Sequence, residues 1–232
     1  MTAPPKGEPK ASPFGSNNDD HRQWRKQGVV VGAAASKTQV LFKARSECWV
    51  PQPGQWHCVS NDGEGKAADR LILPGVGAFG DAMAKLEATG LVPVIREEAA
   101  QKPLLGICLG MQLLFEKSYE YGEHDGLGFV PGQVCPLAPD LGDKSLKVPQ
   151  IGWNAVHILR DDPLFKYVRD GEYFYYVHSY YGKNCTANTL AVSDYSLPVT
   201  GVVKAGKVYG TQFHPEKSGD AGLRLLKAFS EL

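Results

Sequence analysis

The segment from Leu104 to Gln112 constrains the fold of this chain more than any other segment. It begins with the apolar run LLGI, which predicts a central parallel strand that is covered on both faces. Gly106 and Gly110 flank Cys108 at positions i−2 and i+2, and a helix is expected to start immediately after the cysteine. This is the spacing of a nucleophile elbow, in which a tight strand–turn–helix junction presents a reactive side chain. The sequence therefore predicts a buried strand that ends at Cys108.

Cys108 has the residue type and the position of a nucleophile. A thiol at the N-terminus of a helix is favoured as the thiolate, and the flanking glycines leave room for a reacting carbonyl group. The pattern thus predicts acyl transfer through a thioester. A structural cysteine in the core is the alternative, because free cysteines are among the most buried residues. A second segment of the chain favours the nucleophile.

That second segment supplies a base. The stretch 208–218 is expected to be a strand that runs into a loop, and Pro215 fixes the backbone after His214. A cysteine nucleophile requires a base, and the base requires an orienting group. Glu216 lies two residues beyond His214, so both side chains are expected on one side of an extended segment. Alone, the two would be solvated loop residues; with Cys108 they predict a Cys-His-Glu triad.

Five segments together resemble the class I, or triad, glutamine amidotransferases, and their order is similar to that in the glutaminase subunits of imidazole glycerol phosphate synthases. The similarity extends from about position 67 to position 232. It implies an α/β fold in which a central, mostly parallel sheet is flanked by helices, with extra antiparallel strands in the C-terminal half. The five segments are Leu73–Met83, Gly106–Gln112, Val148–Asn154, Tyr175–Tyr180 and Phe213–Glu216.

The resemblance implies hydrolysis of L-glutamine to glutamate and ammonia by Cys108, His214 and Glu216. It assigns the oxyanion hole to the backbone N–H groups of Val76 and Leu109. It assigns the substrate pocket to Gly77, Gln112, His178, Ser179 and Tyr180.

The resemblance also implies a partner that consumes the ammonia in histidine biosynthesis. No second catalytic domain is expected in this sequence, so the partner would be a separate cyclase subunit, a (β/α)8 barrel, in a heterodimer. Trp153, Asn154 and Tyr175 are the expected interface residues, since aromatic side chains are typical of contact hot spots. No cofactor and no metal are implied, and the cytoplasm is the expected location.

Composition excludes several other classes of function. The formal net charge is +0 and there is no basic run, which argues against binding to nucleic acid or to a membrane surface. No apolar stretch approaches the roughly 18 residues that a membrane-spanning helix needs. Five cysteines are an odd number and favour free thiols in a reducing compartment. Their spacing to histidines does not resemble a zinc site.

The chain is expected to form one domain from position 28 to 232, after a disordered tail over residues 1–27 that is rich in Pro, Gly, Ser and charge. Ser218 is the expected N-cap of the last helix. Alternation of strands and helices indicates a doubly wound sheet. The expected strands are 28–31, 55–60, 70–73 and 104–107. More than one helix is expected within 81–101, and single helices are expected over 109–117 and 220–230.

Residues 32–66 depart from the pattern of the family. They lack the family's glycine-containing loop after the first strand, and their prolines and tryptophans are unlike a helix-then-strand unit. Either local divergence or a shifted reading frame would explain them. The missing loop normally faces the partner, so docking depends on this segment. Two alternative functions remain: the glutaminase subunit of another amidotransferase, such as anthranilate synthase, and an inactive binding homologue.

Overall fold

A computed structural model describes residues 41–44, 56–59 and 69–232 of the chain. The expected tail over residues 1–27 and the expected strand 28–31 lie outside the described residues. The atypical segment 32–66 is described only at positions 41–44 and 56–59.

An eight-stranded sheet forms the centre of the described part of the chain. Its three middle strands are parallel, and the strands on either side of them are added in antiparallel pairs. From one edge to the other the strands are β2 (Trp56–Val59), β1 (Leu41–Ala44), β3 (Arg70–Gly75), β4 (Leu104–Cys108), β14 (Val208–Thr211), β13 (Pro198–Ala205), β12 (Thr189–Asp194) and β9 (His157–Ile158).

Two smaller sheets accompany the eight-stranded sheet. In the four-stranded sheet the order is β11 (Tyr180–Lys183), β7 (Val130–Pro136), β5 (Phe115–Ser118) and β6 (His124–Asp125). The other is an antiparallel pair, β8 (Gln150–Ala155) with β10 (Tyr173–His178). The described α-helices are α1 (Phe79–Ala88), α2 (Val92–Ala99), α3 (Leu109–Gln112) and α4 (Gly219–Ser230), and single 3₁₀ turns span Ala138–Asp140, Pro163–Phe165, Thr186–Asn188 and Pro215–Lys217.

Strands β3 and β4 have apolar side chains on both faces because helices cover both faces of the central sheet. Leu71 and Leu73 pack in a cluster with residues of α1 and α2. Ile72, between them, packs instead in a second cluster with α4 residues. Successive side chains of a strand point to opposite faces, so an uninterrupted apolar run indicates burial on both sides. The α/β class expected from the sequence is therefore confirmed, with its added antiparallel strands.

The expected helix over 109–117 is wrong in its second half. Helix α3 ends at Gln112, and Phe115 begins strand β5. The carbonyl of Leu113 accepts from Leu127 N–H, and that of Leu114 accepts from Phe129 and Val130 N–H groups. These carbonyls are thus paired with a neighbouring segment, and the chain continues as a strand of the four-stranded sheet. Local sequence alone could not reveal this long-range pairing.

The last helix was predicted well, but its cap was not. Helix α4 spans Gly219–Ser230, close to the expected 220–230. Ser218 occupies the N-cap position but makes no side-chain capping bond. Its hydroxyl instead donates to the carbonyl of His214 at 2.6 Å and accepts from the Tyr175 N–H at 3.0 Å. No helix in the described ranges is long and apolar enough to cross a membrane.

Glycines pack the β4–α3 junction against strand β3. A Cβ added to Gly106 would lie 2.6 Å from the Gly110 carbonyl oxygen, and one added to Gly75 would lie 3.0 Å from the Gly110 N. A Cβ on Gly110 would overlap the carbonyl oxygen of Leu73. Only glycine lets the backbone of α3 approach the sheet this closely, so these residues set the position of Cys108 between them.

We expect Gly110→Ala to destabilise the fold. The added methyl would overlap backbone rather than a movable side chain, so the cost should reach or exceed the roughly 1–3 kcal/mol typical of overpacking. Urea unfolding of the variant measures it. Gly142→Ala is the matched control, because a Cβ there would meet its nearest atom at an ordinary 3.6 Å. Equal stability of Gly110→Ala and the wild type would contradict this packing.

Candidate active site

Cys108 stands at the end of strand β4 in a backbone conformation that is rare for a residue with a side chain. Its φ is 54° and its ψ is −111°. Such a conformation costs about 1–3 kcal/mol and persists where the surrounding structure enforces it. The side chain is buried, and Sγ lies 3.9 Å from the carbonyl oxygen of Val177 in β10. The expected strand–turn–helix elbow is therefore present, with the thiol directed toward β10.

His214 and Glu216 form a hydrogen-bonded pair beside this thiol. The distance from His214 Nδ1 to Glu216 Oε1 is 2.7 Å, and only 4% of the His214 side chain is exposed. The His214 N–H donates to the carbonyl of Tyr175 at 2.9 Å. The Ser218 hydroxyl donates to the His214 carbonyl, so the backbone of His214 is held by hydrogen bonds on both sides of its Cα. The structure thus brings Cys108 together with His214 and Glu216, which lie about a hundred positions later in the sequence.

The electrostatics of His214 favour the charged imidazolium. Burial of the ring disfavours the charge, but hydrogen bonding to Cys108 and then to Glu216 outweighs burial and raises the pKa of His214 to about 9. The pair therefore stabilises the folded chain fully below about pH 6.5, and this stabilisation is lost as the pH rises through about 9. An imidazolium beside the thiol is the arrangement that keeps a cysteine reactive near neutral pH.

The segment expected to provide the oxyanion hole lies next to Cys108. Gly75 is the parallel-strand partner of Cys108 in the β3–β4 ladder. Val76 and Gly77 follow immediately, both exposed, and Gly77 has a φ of 104° that favours glycine. Leu109 is the first residue of α3, so its N–H has no acceptor within that helix. Both expected donors thus stand on backbone that adjoins the nucleophile.

The expected substrate residues gather around one carbonyl group. Gln112 Nε2 donates to the Tyr180 carbonyl at 2.9 Å, and His178 Nδ1 donates to the same oxygen at 2.9 Å. Gln112 and His178 are both buried. Ser179 forms the bend between β10 and β11. Gln112, His178 and the Tyr180 carbonyl therefore belong to one hydrogen-bonded group.

Two residues at the site were missed by the sequence analysis. Gln212 is fully buried; its Nε2 lies 3.8 Å from Cys108 Sγ, and its Oε1 accepts from Gln112 at 3.1 Å. Its position two residues before His214 was the available signal, because i and i+2 share one side of an extended segment. Glu120 accepts from Phe79 N–H at 2.6 Å, two residues beyond Gly77, and burial raises the pKa of its carboxyl group.

The expected interface residues lie on the β8–β10 sheet, next to the site. The rings of Trp153 and Tyr175 meet edge to face at 6.1 Å, and 43% of Trp153 is exposed. Asn154 points the other way, since its amide accepts from Gln150 Nε2 and donates to the Asp194 carbonyl. Tyr175 therefore joins the two regions: its ring borders the exposed face and its carbonyl holds His214.

Comparison with known proteins agrees with this geometry. The family described as Glutamine amidotransferase class-I matches residues 50–231. A solved structure described as a glutamine amidotransferase matches with a TM-score of 0.57 and 21% identity, covering 75% of this chain and 83% of that chain, which indicates the shared fold. This chain therefore belongs to the class-I glutamine amidotransferases.

Two curated relatives are each named imidazole glycerol phosphate synthase subunit HisH. The protein from Wolinella succinogenes is 49% identical over 166 residues, which cover 71% of this chain and 81% of the relative. The protein from Listeria monocytogenes is 49% identical over 206 residues, which cover 88% of this chain and 95% of the relative. This chain belongs to the HisH family. The longer alignment also extends well before position 67.

We expect the pKa of His214 to depend on its two neighbours, Cys108 and Glu216. Removing either the thiol or the carboxylate should lower this pKa by about one pH unit or more, and Cys108→Ala should have a larger effect than Glu216→Gln. NMR titration of the histidine side-chain carbons measures it, with His157, which is half-exposed and lies 3.8 Å from Asp170, as the internal control. A wild-type His214 that titrates near 6.5 would show that the pair does not form.

Proposed function

We propose that this chain is the glutaminase subunit of imidazole glycerol phosphate synthase and supplies ammonia from L-glutamine for histidine biosynthesis in the cytoplasm. The 2.7 Å contact of His214 with Glu216, beside the Cys108 elbow, is the observation that carries the proposal. Membership of the HisH family supports the particular synthase, because the relatives bear that name over most of their length.

In the proposed reaction, the Cys108 thiolate attacks the side-chain carbonyl carbon of glutamine. The oxygen takes up negative charge, for which Leu109 N–H and the N–H of Val76 are the proposed donors. His214, held by Glu216, protonates the departing nitrogen, so the C–N bond breaks and ammonia leaves a glutamyl thioester. Water then loses a proton to His214 and attacks the thioester, and glutamate is released with the thiolate restored.

The pocket geometry supports a role in orienting the substrate. The Gln112 and His178 side chains both donate to the backbone carbonyl oxygen of Tyr180, which orients these two side chains. Ser179 and Gly77 would complete the pocket at its exposed side. Gln212 would hold both Gln112 and the Cys108 thiol in position, which adds a residue to those expected from the sequence.

The exposed side of the β8–β10 sheet supports docking of a cyclase subunit. Ile151, Trp153 and Tyr173 lie on this face with 61%, 43% and 42% of their surfaces exposed. Neighbouring apolar side chains with this exposure are typical of a protein interface, and aromatic residues are enriched at its centre. A (β/α)8-barrel partner on this face would sit one strand from the site where ammonia forms, in a heterodimer.

Glutamate release from glutamine tests this function, measured with and without a cyclase partner and its nucleotide ligand. Stimulation by the partner supports the proposal. Stimulation by an anthranilate synthase partner instead would identify a different amidotransferase. No turnover in a folded chain with either partner would identify an inactive binding homologue.

Cys108→Ala should abolish glutamate release while the partner still uses added ammonia. The substitution removes the nucleophile but keeps a small side chain at the strained position, so docking should be retained. Cys135→Ala is the matched control, because Cys135 is also a free thiol but belongs to β7. Residual glutamate release by Cys108→Ala above about a thousandth of the wild-type rate would contradict the assigned nucleophile.

A further inference from the structure

Two buried side chains next to the site each present an acceptor atom that the described residues do not satisfy. His178 Nε2 and Gln150 Oε1 are buried without a hydrogen-bond partner among the described residues. The two residues are 6% and 0% exposed. A buried polar atom without a partner costs about 1–3 kcal/mol, so such atoms require an explanation. We call these two atoms the acceptor pair.

The strand register places the acceptor pair side by side. His178 is the direct partner of Gln150 in the antiparallel β8–β10 ladder. Directly opposite residues project from the same face, with Cβ atoms about 4.5–5.5 Å apart. That face is the inner one, since Phe174 and Tyr176 on it are fully buried, while the residues that alternate with them in β10 are exposed or only partly buried.

Both members of the pair can only accept. The His178 Nδ1–H donates to the Tyr180 carbonyl, so Nε2 carries a lone pair and no proton. Burial, together with the positive charge on His214, lowers the pKa of His178 to about 4, so the ring is neutral at pH 7. The Gln150 amide nitrogen donates to Asn154 Oδ1 at 3.0 Å, so the amide oxygen of Gln150 is the atom that remains without a partner among the described residues. A ligand here must be a small donor, and an anion is excluded.

Ammonia is the donor that the proposed reaction releases at this place. Cys108 Sγ lies 3.9 Å from the carbonyl of Val177, the residue before His178. Ammonia has three N–H groups, enough for both acceptors of the pair. Two residues along β8 from Gln150, a Cβ added to Gly152 would meet no heavy atom within 4 Å, so the space beside Gly152 is open. The exposed aromatic face of the same sheet carries Trp153.

We propose that the acceptor pair, His178 Nε2 and Gln150 Oε1, is a binding position for ammonia between its release at Cys108 and its transfer to the partner. This inference rests on the proposed glutaminase function. Holding ammonia by two acceptors reduces its escape to solvent without retaining it as a charged species. The position acts after C–N cleavage, so removal of Gln150 Oε1 should change the fate of ammonia and leave the rate of glutamate release unaffected, whereas His178 also belongs to the proposed substrate pocket.

The test uses the complex of this chain with its cyclase partner and measures the ratio of cyclised product to glutamate. Gln150→Met keeps the size of the side chain and removes the acceptor. We expect the ratio to fall roughly threefold to tenfold, the effect of one ordinary hydrogen bond, while kcat/KM for glutamate release stays within about twofold. Gln101→Met is the matched control, since Gln101 is exposed and lies before the opposite end of β4.

Other outcomes would overturn the proposal. A lower kcat for glutamate release with an unchanged ratio would mean that the pair holds the hydrolytic water. A raised KM for glutamine would mean that it binds the substrate itself. An unchanged ratio with normal glutamate release would contradict the proposed ammonia position and leave the proposed glutaminase function intact.

A second variant guards against a folding defect in the first. His178→Asn keeps a donor for the Tyr180 carbonyl and removes Nε2. Because the ratio of cyclised product to glutamate is normalised to glutamate, this ratio can be measured even if glutamine turnover slows. We expect the same fall in this variant. Absence of glutamate release by the wild-type complex would overturn both the function and the position.

Discussion

The close contact between the start of helix α3 and the backbone of β3 is the constraint on which the site depends. Gly110 lies so near the Leu73 carbonyl that a side chain would overlap it, and Gly106 and Gly75 complete the same contact. The turn between strand and helix must therefore be completed at Cys108, whose φ of 54° is the result. Cys108, the proposed nucleophile, is positioned by backbone packing, which is rigid, rather than by a flexible loop.

Strand β10 provides the other half of the site. Its carbonyls at Tyr175 and Val177 meet His214 and the Cys108 thiol, and its buried side chain His178 faces the same region. The opposite face of this two-stranded sheet is exposed and aromatic. A partner bound to that face would contact the strand that holds His214, the proposed base, which gives a direct physical route for a partner to influence hydrolysis.

The sequence was sufficient for those features that depend on local pattern. The apolar run before Cys108 predicted a central strand, and the His-x-Glu spacing predicted the contact of His214 with Glu216. The strand at Phe115 and the contact of the Ser218 hydroxyl with the Tyr175 N–H were not predictable in this way, because their partners, Val130 and Tyr175, lie outside the local segment. Gln212 was missed for a related reason: its environment is set by Gln112, a hundred positions earlier.

Covalent labelling of the nucleophile tests the central claim most directly. A glutamine analogue with a diazoketone in place of the carboxamide is attacked by the active thiolate and leaves a stable thioether with loss of nitrogen gas. Peptide mass spectrometry should find one adduct, on Cys108, that excess glutamine prevents, with Cys135 and Cys185 unmodified. A protein that hydrolyses glutamine yet carries the adduct on another residue would contradict the account.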